Sequence, residues 1–87
     1  MDFPFKEKIE DGYHIRTFTE DIEDSELVWH RDKEDRIVES VGKTNWMIQM
    51  DNKVPKIIEG EFFIPKNTYH RVIKGDGNLT VKVKKLL

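Results

Sequence analysis

Gly60-Glu61-Phe62-Phe63-Ile64-Pro65-Lys66-Asn67-Thr68-Tyr69-His70-Arg71-Val72 is the stretch that decides how this chain folds. Gly60 permits a sharp corner, since a residue without Cβ enters positive φ at little cost. Residues 61–64 are rich in β-formers, and Pro65 stops the strand because it has no amide to donate. Asn67 tolerates the left-handed backbone that a tight turn requires. Residues 68–73 then form a second strand, with His70 and Val72 on one face and Tyr69, Arg71 and Ile73 on the other. The hairpin therefore delivers one histidine to the inside of whatever the strands enclose.

The same period-two pattern extends in both directions. Downstream, the turn Gly75-Asp76-Gly77-Asn78 leads into residues 79–85, where Leu79, Val81 and Val83 point inward and Thr80, Lys82 and Lys84 outward. Upstream, strands are predicted at 13–19 after the turn pair Asp11-Gly12, at 26–32, at 36–41 up to Gly42-Lys43, and at 45–50. Residues 54–58 contain Pro55 and read as an edge or an irregular stretch. Residues 1–10 read as an edge strand or a loose arm. Trp46, Ile48, Met50, Phe62 and Ile64 are the expected core. Seven or eight short strands separated by turns, with no helical stripe, imply one all-β domain over residues 1–87, a small antiparallel barrel or sandwich.

The quoted stretch resembles the second motif of the cupin superfamily: a glycine, an acidic residue, an apolar strand ending in Ile-Pro, a tight turn, and a histidine opening the next strand. Asn67 stands where that motif often has glycine. The stretch from Trp29-His30-Arg31-Asp32 to Val41-Gly42 is similar to the first cupin motif, usually His-x-His followed by a glutamate three or four residues on. His30 matches the first ligand, Asp32 takes the second position, and Arg36 sits about where the glutamate belongs. The resemblance covers residues 26–83 and implies a cupin-type jelly-roll barrel. The brevity of the chain is also similar to that of phage-encoded cupin-like proteins.

His30 and Asp32, two apart on one predicted strand, share a face, and His70 returns to it if the barrel closes. Two imidazoles and a carboxylate make the facial-triad composition of non-haem iron sites, with iron, manganese, nickel or zinc as the candidate divalent metals. Arg36 cannot coordinate, so it either holds a substrate carboxylate or pairs with Asp32 in a metal-free barrel. Gln49 and Tyr69 are the other polar candidates for orienting a ligand. His14 has no neighbour at ligand spacing and reads as an ordinary histidine. Three functions stay open: a metal-dependent dioxygenase, isomerase or lyase acting on a small anionic substrate; a non-catalytic ligand-binding module; or a structural module on a metal-free barrel.

Composition narrows the rest. Apolar and charged residues each make up 37% of the 87 residues, as suits a compact domain with a solvated exterior. The absence of cysteine excludes disulfides, thiolate ligands and a cysteine nucleophile. A net charge of −2 provides no field for nucleic acid, and the acidic run from Glu20 to Glu26 and the lysines at 82, 84 and 85 read as solvated surface. No apolar run approaches the roughly 20 residues of a membrane helix, and the N-terminus shows no signal-peptide pattern, so the expected location is the cytoplasm. A short barrel with exposed strand edges is expected to form a homodimer, with Phe3, Phe5, Leu27 and Trp29 as candidate buried surface.

Overall fold

A computed structural model describes residues 4–86. Its strands are β1 (Lys6–Glu10), β2 (Tyr13–Phe18), β3 (Asp35–Ser40), β4 (Met47–Met50), β5 (Lys56–Ile57), β6 (Glu61–Ile64), β7 (His70–Ile73) and β8 (Leu79–Leu86). They form a five-stranded sheet in the order β1-β2-β8-β3-β6 and a three-stranded sheet in the order β5-β4-β7. Every pairing is antiparallel. β8 is the axis of the larger sheet: Val83 pairs with His14 on one side and Val38 on the other. Leu79, Val81 and Val83 are all buried, as the alternation predicts. Directly paired residues share a face. His14, Arg16 and Phe18, partners of Val83, Val81 and Leu79, therefore lie on the inner side of the sheet.

The core lies between the two sheets. The larger one contributes Phe18, Val38, Ile64, Leu79, Val81 and Val83; Ile48, with Trp46 just before β4 and Ile58 just after β5, closes it from the other side. Trp46 is fully buried, and its indole Nε1–H donates to the Gly77 carbonyl at 3.1 Å. The 75–78 turn is fastened to the same point. Asn45 Oδ1 accepts from the Asp76 amide at 2.7 Å, and Asn45 Nδ2–H donates to Asp76 Oδ2 at 2.9 Å. Gly75 is required there, because a Cβ would come within 2.7 Å of the Trp46 backbone nitrogen.

The turn chemistry of the deciding stretch is as read: φ is 60° at Gly60 and 61° at Asn67. The predicted strand at 26–32 is not formed. Asp24–Glu26 is a 3-10 turn in which the Glu26 amide donates to the Glu23 carbonyl and the Leu27 amide to the Asp24 carbonyl, so neither is free for a partner strand. Only His30 pairs, through reciprocal bonds of 3.0 and 2.9 Å with His70, before the 65–69 turn carries the facing segment away. The turn also resets the alternation at Leu27, which packs against the core instead of facing out with Trp29. Phe5 likewise packs on the core, its ring 5.3 Å from that of Phe18. Of the residues expected at a dimer surface, Trp29 stays exposed, and Phe3 lies outside the described residues.

Candidate metal centre

The single His30–His70 rung places two imidazoles side by side, with ring centroids 4.4 Å apart. Asp32 follows two residues later, and the Asn67 amide, from the turn before β7, donates to its backbone carbonyl at 2.7 Å. One ligand atom from each of His30, Asp32 and His70 lies within 4.8 Å of those of the other two. Each histidine donates its Nδ1–H to the carbonyl two residues before it: His30 to Val28 at 3.0 Å and His70 to Thr68 at 2.8 Å. A carbonyl only accepts, so Nδ1 must carry the proton, and in the neutral ring Nε2 is left with its lone pair. This is the arrangement in which metal-binding histidines are held.

His70 and the Asp32 side chain are largely buried, whereas His30 is exposed. Burial holds the His70 pKa below that of a free imidazole. The His30 ring and Arg36 act in the same direction; the Thr68 carbonyl and the Asp32 carboxylate oppose them. His70 Nε2 stands 3.4 Å from Asp32 Oδ2, and that buried oxygen has no hydrogen-bond partner. A buried carboxylate oxygen without a donor is costly. The fit to a metal rests on this orphaned atom: the three donors converge, and a cation is what they lack.

Arg36 does not supply that cation fully. Its Nε and Nη2 donate to Glu34 Oε1 at 3.2 and 2.9 Å, while Nη2 is 3.3 Å from Asp32 Oδ1. The guanidinium is shared between two carboxylates, and its hydrogen bonds go to Glu34. Arg36 holds the Glu34 pKa below the usual carboxylate range, so Glu34 stays charged and keeps it occupied.

The centre lines a cavity of about 340 Å³ between the sheets, whose lining is dominated by apolar side chains such as Val38, Ile48, Phe62 and Val72. His30, Asp32, His70 and Arg36 all line it; Gln49 and Tyr69 do not. The reason is parity. Gln49 follows the buried Ile48 and Tyr69 precedes the buried His70, so both point to the outer side of the three-stranded sheet. There Gln49 Oε1 accepts from Arg71 Nε at 2.9 Å, and the Arg31 guanidinium lies 5.3 Å from the Tyr69 ring centre. His14 is 3.2 Å from Glu7, away from the centre. Sequence reasoning missed Glu34 and Arg16, which also lines the cavity. The available signal was the same-face pair Glu34-x-Arg36 and the charged residue between His14 and Phe18 in the inward phase of β2.

No family model matches the chain, and no curated protein matches it. Solved structures do. A cupin domain from Bordetella pertussis aligns over 100% of this chain and 99% of its own length, at 17% identity and a TM-score of 0.62. A cupin-2 domain-containing protein from Shewanella frigidimarina aligns over 99% and 83%, at 12% identity and 0.61. The iron(II) form of HppE in complex with substrate aligns over 99% of this chain and 55% of its own, at 8% identity and 0.66. Likeness at such identities carries architecture, not activity. Taken with the two antiparallel sheets, the His70 hairpin and the converging donors, these matches show that the chain has the cupin fold.

Proposed function

We propose that the chain holds one divalent transition metal between His30 Nε2, the Asp32 carboxylate and His70 Nε2, and acts there on a small anionic molecule admitted to the cavity. The reading rests on the orphaned Asp32 oxygen facing the His70 lone pair at 3.4 Å. When bound, such an ion supplies a Lewis-acid or redox centre with positions open to substrate, suited to an oxygenase, isomerase or lyase. The chain's own part is preorganisation. Val28 and Thr68 fix the ring tautomers, Glu34 shares the Arg36 guanidinium with Asp32, and the cavity presents mainly apolar walls. A second reading, a metal-free binding or structural module, is favoured by one observation: Arg36 lies beside Asp32 where the related motif has a fourth ligand.

Untagged protein purified without chelator, analysed for metals and titrated with iron(II), manganese, nickel and zinc, tests this directly. One equivalent bound per chain is the expected result. A chain that takes up none of the four overturns the metal reading and leaves the metal-free module.

The assembly is proposed as a homodimer. On the outer face of the three-stranded sheet, Trp29 and Tyr69 are each nearly half exposed and covered by the guanidinium groups of Arg71 and Arg31. Among the described residues, neither arginine has a carboxylate partner, and none of Glu20, Asp21, Glu23, Asp24 and Glu26 has a basic one. The acidic and the aromatic–arginine patches adjoin along residues 20–31, so one two-fold axis brings each onto the other's counterpart. Light scattering is expected to give twice the chain mass of 10.4 kDa, and Arg31→Glu with Arg71→Glu to weaken the dimer at least tenfold. Monomer at millimolar concentration would refute it.

A further inference from the structure

Arg36, read from the sequence as either a holder of substrate carboxylate or a partner of Asp32, gives two of its five N–H donors to Glu34 and stands 3.3 Å from Asp32, so it is already engaged by two carboxylates. The cavity contains a second guanidinium. Arg16, at the middle of β2, lines the same space from the inner face of the larger sheet, and its side chain is 15% exposed. Its Nε donates to Glu7 Oε2 at 2.6 Å, and its guanidinium carbon sits 4.4 Å from the centre of the Phe5 ring. Glu7 divides itself: the other oxygen, Oε1, faces His14 Nδ1 at 3.2 Å. One edge and one face of the guanidinium are thus fixed. Among the described residues, its one hydrogen bond is that from Nε, which leaves four of five N–H donors.

The two arginines enter the cavity from well-separated points of the larger sheet. Arg16 pairs with Val81 and Arg36 with Lys85, four residues further along β8 and two strands away, so their backbones are roughly 17 Å apart at about 3.4 Å per residue and 4.8 Å per strand. Apart from Glu26, Arg16, Arg36 and the three candidate donors, the lining is apolar. We propose that the cavity takes a carboxylate carried on an apolar body several carbons long, with Arg16 binding the carboxylate and the far end of the molecule reaching His30, Asp32 and His70. This rests on the reading of the cavity as a small-molecule site and adds the substrate class and the residue that selects it. A bidentate contact to a preset guanidinium in a largely apolar cavity favours the anion over a neutral isostere.

The test compares 4-phenylbutyrate with 4-phenylbutanol, the same apolar body with and without the charge, on full-length protein by calorimetry, with and without zinc. Wild type is expected to prefer the carboxylate at least tenfold. Arg16→Gln is expected to lower phenylbutyrate affinity to that of the alcohol while leaving the alcohol and zinc affinities within twofold. Arg16→Lys keeps a charge beside Glu7 should the glutamine variant not fold, and is expected to retain only part of the preference. No preference in wild type, or a preference that survives Arg16→Gln and vanishes in Arg36→Gln, overturns the proposal. Failure to bind zinc with the carboxylate preference intact would instead overturn the metal reading and leave Arg16 as the anion site.

Discussion

Replacing His70 with alanine is expected to lower transition-metal affinity more than 100-fold while leaving the barrel folded. His70 provides the most buried of the three donors. Losses of 10–100-fold are already usual when only the hydrogen bond behind such a ligand is removed. The readout is thermal. A metal that binds only the native state adds about 2.7 kcal/mol at 100 times its Kd, which for a domain this small raises Tm by more than about 10 °C. Wild type should show that rise and His70→Ala should not, with the two metal-free proteins melting within a few degrees of each other at pH 8. An equal metal-induced rise in both would exclude His70 as a ligand. Acid separates them further. The His70 pKa is lowered in the fold, so below about 6.5 the unfolded chain takes up a proton that the native ring refuses. Wild-type stability, intact above that pH, is therefore lost as pH falls through the native pKa, and His70→Ala should lack this contribution.

Trp46→Ala is expected to cost about 3–5 kcal/mol, most of the margin that a domain of this size has. Trp46 is fully buried between the sheets, its ring centre 6.0 Å from that of Phe18, and its indole N–H satisfies the Gly77 carbonyl. Truncation leaves a cavity and an unpaired carbonyl together, and it loosens the 75–78 turn that abuts Trp46. Urea denaturation followed by circular dichroism measures the loss. Trp46→Phe, which keeps most of the volume but no donor, should cost less than half as much. A loss below 1 kcal/mol for alanine would mean that the core lies elsewhere.

Strand positions were legible because they depend on local alternation and turn chemistry. β6 begins and ends where Gly60 and Pro65 imply, and β8 buries the three side chains its pattern marks. The His30, Asp32 and His70 convergence was legible for the same reason, since same-face parity survives even where no ladder forms. What was hidden depends on partners distant in the chain. A strand at residues 26–32 would need a neighbour along its length, and β7 offers one residue. The inward face of β2 was obscured because Tyr13, Ile15 and Thr17 look like the buried set until pairing with β8 puts His14, Arg16 and Phe18 inside. Gln49 and Tyr69 were polar residues near the right strands but in the wrong phase.

Two of the three donors ride on a segment secured by few bonds. Between the 3-10 turn and β3, the chain is pinned to β7 by one backbone rung and to the preceding turn by the Asn67 amide. Segments of this kind open locally at far lower free energy than the whole domain. Release of whatever the centre holds therefore need not wait for the barrel to come apart. Were a metal held there, His30 and Asp32 would leave together while His70 stayed seated, so its off-rate would follow the excursions of this short strap and not the unfolding of the barrel.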